Sequence, residues 1–208
     1  MSGPVIILEF EPSAKDRSFD TGAYVRPMIN RVKSSDSVAG LCQTAARQVR
    51  ALTGFDRVMV YKFHPDDSGE VIAEACRAGM EPFLGLRYPA SDIPKQAREL
   101  YRRSLLRIIS DVDDKVSPVI PTVNPNGEPL DLSMSCLRAV SPIHLEYLRN
   151  MGVRASMSIS ILRRGKLWGL ISCHHDAPRT LTYDVRSAAE LFGQLFSFVL
   201  DQFETELA

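Results

Sequence analysis

The sequence predicts an α+β fold, a central antiparallel β-sheet flanked by helices, with a long irregular loop at 114–131. Two observations point there. Two pairs of strand-like runs are each joined by a short turn, and the elements follow the order helix, two strands, helix, strand, loop, helix, two strands, helix.

The first run, Val5 to Glu11, is rich in β-branched residues and reads as a strand. No partner element precedes it, so it is expected to be the last strand of an earlier domain. The polar stretch from Pro12 to Ala23 reads as a linker. From Ser37 to Thr53, Val38, Leu41, Ala45, Val49 and Leu52 recur at spacings of three and four, which places them on one helix face. Asp36 or Ser37 can cap that helix and Gly54 can end it.

Phe55 to Phe63 and Glu70 to Cys76 flank a His-Pro-Asp-Asp-Ser-Gly turn and form the first expected hairpin. A helix is expected over Pro94 to Arg103, where a polar cap and a proline precede helical spacing. Arg107 to Ile109 reads as a short strand. Between Asp114 and Asp131, Pro118, Pro121, Pro125 and Pro129 with Asn124, Asn126 and Gly127 prevent regular structure, and so long a loop in a compact domain is often functional. His144 to Asn150 reads as a helix closed by Gly152. Ser156 to Leu162 and Lys166 to His174 form a second hairpin around Arg163-Arg164-Gly165.

The last helix is expected over residues 183–203, with Val185, Ala188, Ala189, Phe192, Leu195, Phe196, Val199 and Phe203 facing the core. Leu191, Phe198 and Leu200 fall outside that face. They suggest either a homodimer through this helix or extra cover for the sheet, and the sequence leaves the two open.

A chain of 208 residues suits one large domain or a domain with a short appendage. The division expected is an N-terminal segment 1–19 and a domain 20–208. With 45% hydrophobic and 24% charged residues, and 25 basic against 25 acidic side chains, the composition carries no signature of nucleic-acid or membrane affinity. The apolar runs fall short of the roughly 20 residues a membrane span needs, so a cytoplasmic protein is expected. Cys42, Cys76, Cys136 and Cys173 lie far apart without CxxC spacing, which indicates reduced thiols rather than a zinc site or a disulfide framework.

No Walker loop, GxSxG elbow, HExxH or GxGxxG occurs, so an enzyme is not expected. Nor is a metal, because His174 and His175 point to opposite sides of a strand and His144 lies elsewhere. Arg107 and Arg138, each in an apolar or small-residue neighbourhood, suit a clamp on two carboxylates of one ligand, although arginines in such places commonly make surface ion pairs. Ser156 and Ser158 alternate on a strand and present two hydroxyls on one face, as plain solvent-facing serines also do.

Four blocks carry a resemblance. They are Gly54-Phe-Asp-Arg-Val-Met-Val-Tyr-Lys-Phe-His with Gly69-Glu-Val-Ile-Ala-Glu; Tyr88-Pro-Ala-Ser-Asp-Ile-Pro; Leu137-Arg-Ala-Val-Ser-Pro-Ile-His-Leu-Glu-Tyr-Leu-Arg-Asn-Met-Gly152; and Leu167-Trp-Gly-Leu-Ile-Ser-Cys-His-His175. Together, over residues 20 to 205, they closely resemble the chromophore-binding GAF domain of bacteriophytochromes. Val5 to Pro12 resembles the last strand of the PAS domain that precedes it.

The resemblance implies a bilin-binding photosensory receptor domain that absorbs red or far-red light, with biliverdin IXα as cofactor, and it suits near-infrared fluorescence. Asp92, with Ile93 and Pro94 in the same motif, would offer its backbone carbonyl to the pyrrole nitrogens. His144 would lie beside the inner rings, and His174 would hydrogen-bond the terminal ring carbonyl within an aromatic wall of Tyr61, Tyr88 and Tyr147. Arg107 and Arg138 would clamp the propionates, with Ser141, Ser156, Ser158 and Tyr101 nearby. The family's thioether cysteine lies before the PAS domain, and plant and cyanobacterial relatives use a cysteine where Ile143 stands here. Non-covalent binding is therefore expected, with Cys136 the thiol to test. The alternative is a bilin-free GAF module used for dimerisation or for another small ligand.

Overall fold

The computed structural model describes residues 5–12 and 19–206. Its elements are α1 (Thr21–Lys33), α2 (Val38–Thr53), β1 (Arg57–Phe63), β2 (Gly69–Cys76), β3 (Arg87–Tyr88), α3 (Lys95–Arg103), β4 (Leu106–Ile109), α4 (Pro142–Asn150), β5 (Ala155–Arg163), β6 (Lys166–His175) and α5 (Tyr183–Glu206). The strands form one six-stranded sheet in the order β3-β2-β1-β6-β5-β4. Every neighbouring pair is antiparallel.

Alternation along the strands divides the sheet into two unlike faces. Val58, Val60, Met157, Ile159, Ile161, Ile171 and Cys173 turn toward α1, α2 and α5 and make the main core with Phe192, Phe196 and Leu41. Met59, Tyr61, Val71 and Leu170 turn the other way, into a smaller cluster with Phe83, Tyr88, Ile93 and Tyr101. The helix α2 that seals the first face is set by local signals. Ser37 Oγ accepts from the Gly40 N–H, and Gly54 closes the C-terminus at φ 66°, a left-handed conformation that favours glycine.

Four expectations need correction. Residues 6–12 are not a strand. Val5 occupies an isolated bridge, and Ile6 and Phe10 are 75% and 85% exposed. β-Branched residues favour a strand only where a ladder partner exists, and what holds this segment is the pair of carboxylates of Glu9 and Glu11.

The expected linker ends in α1. Asp20 caps that helix by accepting from the Gly22 and Ala23 N–H groups, and Val25, Met28, Ile29 and Val32 are buried along it. Gly22 and Pro27 hid that pattern, and residues 13–18 lie outside the described residues. Leu200 is fully buried while Leu195 is 38% exposed, the reverse of their expected places. Helix α5 packs against both α1 and α2, so its buried stripe turns away from a single-neighbour face. Finally, β3 adds an edge strand that the sequence reading left inside a motif. None of the described helices is long and apolar enough to cross a membrane.

Candidate functional site

The sheet face turned away from α1, α2 and α5 carries the polar groups. Strand register lines up Arg107, Ser158, Ser172 and Met59 in one row across β4, β5, β6 and β1. The next row runs Ile109, Ser156, His174 and Arg57. Ser156 and Ser158 are therefore not solvent-facing; both are buried, and they form a hydroxyl floor with Ser160.

Arg107 is the sharpest feature of that floor. Its Nε and Nη2 are buried without a hydrogen-bond partner, and its guanidinium lies 5.0 Å from the centroid of the Tyr101 ring. A buried cation without a counter-charge is costly, so such a group marks a place where an anion fits. Tyr101 is fixed from two sides. Ser160 Oγ donates to its carbonyl at 2.7 Å, and Ser158 acts on its hydroxyl. Burial raises the Tyr101 phenol, against Ser158 and the charge of Arg138. Arg138, half-buried in the irregular segment between β4 and α4, thus acts on the same spot as Arg107.

His174 stands at the centre of the next row. Its Nδ1 is buried without a partner, and its Nε2 lies 3.3 Å from Ser172 Oγ. Burial, then the charges of Arg57 and His144, push its pKa down to about 4, so it is a neutral imidazole at physiological pH. His144, on α4, is also lowered by burial and stacks on Tyr147 at 6.3 Å between centroids.

The aromatic residues gather at the β2–β3 side. Tyr61 and Tyr88 are 6.0 Å apart. Burial, with Asp92, Tyr147 and Tyr88 close by, pushes the Tyr61 hydroxyl up to about 12; burial and Asp92 do the same to Tyr147. Tyr61 depends on Gly69, because a Cβ there would meet the Tyr61 ring at 1.9 Å. Asp92 closes a turn through its N–H to the Pro89 carbonyl at 3.1 Å, Ile93 packs into the Tyr61 cluster, and Pro94 occupies the N-cap of α3. Ser141 holds the N-cap position of α4 without a side-chain cap bond.

The irregular segment before α4, which bears Arg138, is anchored from the N-terminal segment. The Glu9 carboxylate accepts from Ser135 Oγ at 2.5 Å and from the N–H groups of Cys136 and Leu137 at 3.0 and 2.7 Å. Glu11 forms a two-pronged pair with the buried Arg186 of α5. Cys136 is half-buried beside these carboxylates and its thiol is raised by burial, which disfavours the reactive thiolate.

Arg57, Glu74, Phe83, Ser160 and Ser172 also line this face, and the sequence reading missed them. Extending the period-two alternation would have found the two serines, whereas nothing local marks Arg57 or Glu74. Among the described residues, Asp56, His175 and Asp176 bring ligand-type atoms within 4.8 Å of one another. Arg77 pairs with both of those carboxylates, at 3.5 and 2.6 Å, and supplies the positive charge there.

A profile of the GAF domain matches residues 37–200. The chain belongs to the GAF domain family. Similar proteins include a bacteriophytochrome of Pseudomonas aeruginosa, 49% identical over 96% of this chain and 28% of that protein. Another is cyanobacterial phytochrome B of Nostoc sp., 46% identical over 94% of this chain and 27% of that protein. This GAF domain thus spans little more than a quarter of those relatives' length. Among solved structures it resembles the chromophore-binding domain of an unusual bacteriophytochrome from R. palustris, with TM-score 0.86, 46% identity and coverage of 89% of this chain and 62% of that one. It also resembles the chromophore-binding domain of Stigmatella aurantiaca phytochrome P1, with TM-score 0.84, 48% identity and coverage of 90% and 63%. The GAF fold and the kinship with phytochromes agree with the sequence reading.

Proposed function

We propose that this GAF domain is a photosensory module that binds biliverdin IXα without a thioether and absorbs red or far-red light. The observation that carries the reading is Arg107, whose Nε and Nη2 are buried without a hydrogen-bond partner beside Ser158 and Tyr101, with Arg138 acting on the same place. A conjugated apolar ligand bearing two carboxylates needs such a cationic end joined to an aromatic slot.

Bound biliverdin would supply the light-absorbing conjugated system. The chain's own part is to hold and orient it. Arg107 and Arg138 take the propionates, with Ser141, Ser156 and Ser158 adding hydroxyls. The neutral His174 offers a ring nitrogen to the terminal-ring carbonyl, His144 lies against the inner rings, and Asp92 with Ile93 and Pro94 presents a backbone carbonyl to the pyrrole N–H groups. Tyr61, Tyr88 and Tyr147 close the apolar side. The ligand-binding unit is residues 20–208.

Titrating purified protein with biliverdin in the dark tests this. A new far-red absorption band that saturates with added bilin is expected, and a spectrum equal to the sum of free bilin and free protein overturns the reading. Zinc-stained denaturing gels of the loaded protein should show no bilin on the chain, and a band lost on Cys136→Ser would instead establish a thioether.

A second reading, a bilin-free module used for dimerisation, draws on Leu191, Leu195 and Phe198, which are 38%, 38% and 61% exposed along α5. Dimerisation by itself is compatible with bilin binding, so only the absence of a bound band in the titration favours the bilin-free reading.

A further inference from the structure

Arg57 and Glu74 form an ion pair in which each side chain is only 4% exposed. It lies on the site face of the sheet, yet neither the fold nor the proposed contacts to the ligand explain it. Buried pairs of this kind often add little stability compared with apolar residues of similar size. What this pair does is visible in its remaining bonds.

Glu74 uses its second oxygen to accept from the N–H groups of Phe83 and Leu84, at 2.9 and 3.1 Å. Arg57 donates through Nη2 to the Glu81 carbonyl at 2.6 Å and lays its guanidinium 3.7 Å from the centroid of the Phe83 ring. Residues 81–84 have no regular structure of their own, so they are fastened to the sheet by backbone and ring together. Phe83 in turn packs into the cluster of Tyr61, Tyr88 and Ile93. On its other side Arg57 is directly opposite His174 in the β1–β6 register. The charged or titratable groups acting on His174 are Arg57 from β1 and His144 from α4, while its neighbours Ser156 and Ser172 are neutral hydroxyls.

We infer that the Arg57–Glu74 pair is a positioning device for the site: it holds Phe83 in the aromatic wall and fixes a guanidinium opposite His174. The inference rests on reading this face as the ligand site. Neither residue touches the ligand in this account; both act through Phe83 and His174.

Two variants separate the parts. Arg57→Gln combined with Glu74→Gln removes both charges and keeps a polar side chain at each position, and Arg57→Lys keeps the positive charge but loses the planar fork. In the bilin-free protein, NMR titration of the His174 ring should move upward in the double variant and stay near the native midpoint in Arg57→Lys. Amide exchange at Phe83 and Leu84 should speed up several-fold in both. With biliverdin added, the bound absorption band should shift in both variants.

An unchanged His174 midpoint in a folded double variant, or unchanged exchange at Phe83 and Leu84 in Arg57→Lys, overturns the inference. Should the double variant fail to fold, the exchange measurement on Arg57→Lys still decides. The first two readouts need no bilin. Their success with no bilin binding defeats the proposed function alone, and bilin binding with both readouts flat defeats this inference alone.

Discussion

Arg107 illustrates how one residue can be worth less to the fold than to the function. Two of its guanidinium nitrogens are buried without a hydrogen-bond partner, so Arg107→Met should leave the bilin-free melting temperature unchanged or higher. The same variant should weaken biliverdin binding by roughly 10- to 100-fold, the loss of about 1.5–3 kcal/mol from a charge-assisted hydrogen bond. Paired calorimetric melts and binding titrations check both halves. His174 has the opposite signature. Its folded pKa, about 4, lies below its ordinary value of 6.5, so the folded state resists protonation and the unfolded state does not. Its neutral form therefore costs nothing above about pH 6.5. As pH falls from there to about 4 the fold loses about 3 kcal/mol from this group. Denaturant titrations at a series of pH values should show that slope, and His174→Gln should remove it. The sequence disclosed the residue types at both positions. It could not disclose that one would be left unpaired and the other crowded by a cation, because Arg57 reaches His174 only through the pairing of β1 with β6.

Among the elements, the irregular segment before α4 depends on a contact that no local pattern announces. Glu9 gathers Ser135, Cys136 and Leu137 immediately before Arg138. Burial raises the Glu9 carboxyl, but the hydrogen bonds from Ser135, Leu137 and Cys136 outweigh it and hold the pKa below the ordinary carboxylate value. A depressed carboxylate contributes its stability above its unfolded pKa and loses it as pH falls through the folded one. Protection factors of the Cys136 and Leu137 amides, taken against intrinsic exchange at each pH, should therefore be high at neutral pH and fall in acid. In Glu9→Gln they should be low at both, and equal protection in the two proteins would falsify the clasp. Elements with strong local periodicity were legible, among them α2, α5 and both hairpins, because a stripe of apolar residues and a capping Ser37 or Gly54 are written in adjacent positions. The N-terminal run and α1 were not. In the first, β-propensity had no neighbouring strand to act on; in the second, Gly22 and Pro27 masked a helix that tertiary burial of Val25 and Val32 stabilises.

At the scale of the whole molecule, one sheet separates two chemistries. One face is a dry core under α1, α2 and α5, and the other is a floor of serines, arginine, histidine and tyrosine. The alternation of strands such as Ser156 to Ile161 shows that division in the sequence, but which face the helices would cover becomes clear only from the assembled sheet. The exposed stripe of Leu191, Leu195 and Phe198 lies on α5, which covers the sheet face opposite the site, and Phe198→Glu should abolish self-association in sedimentation experiments while leaving the biliverdin band in place. A protein that sediments as a monomer at high concentration removes the dimer. The Glu11–Arg186 pair has a consequence in time as well as in space. The two residues are 175 positions apart, and a ribosome adding about 5–20 residues per second leaves Glu11 waiting on the order of 10–35 s for its partner to be synthesised. Until then Ile6, Leu8 and Phe10 are tethered at most through Glu9, whose partners Ser135 to Leu137 are made earlier, so this apolar stretch stays open for that time to a chaperone that recognises such segments.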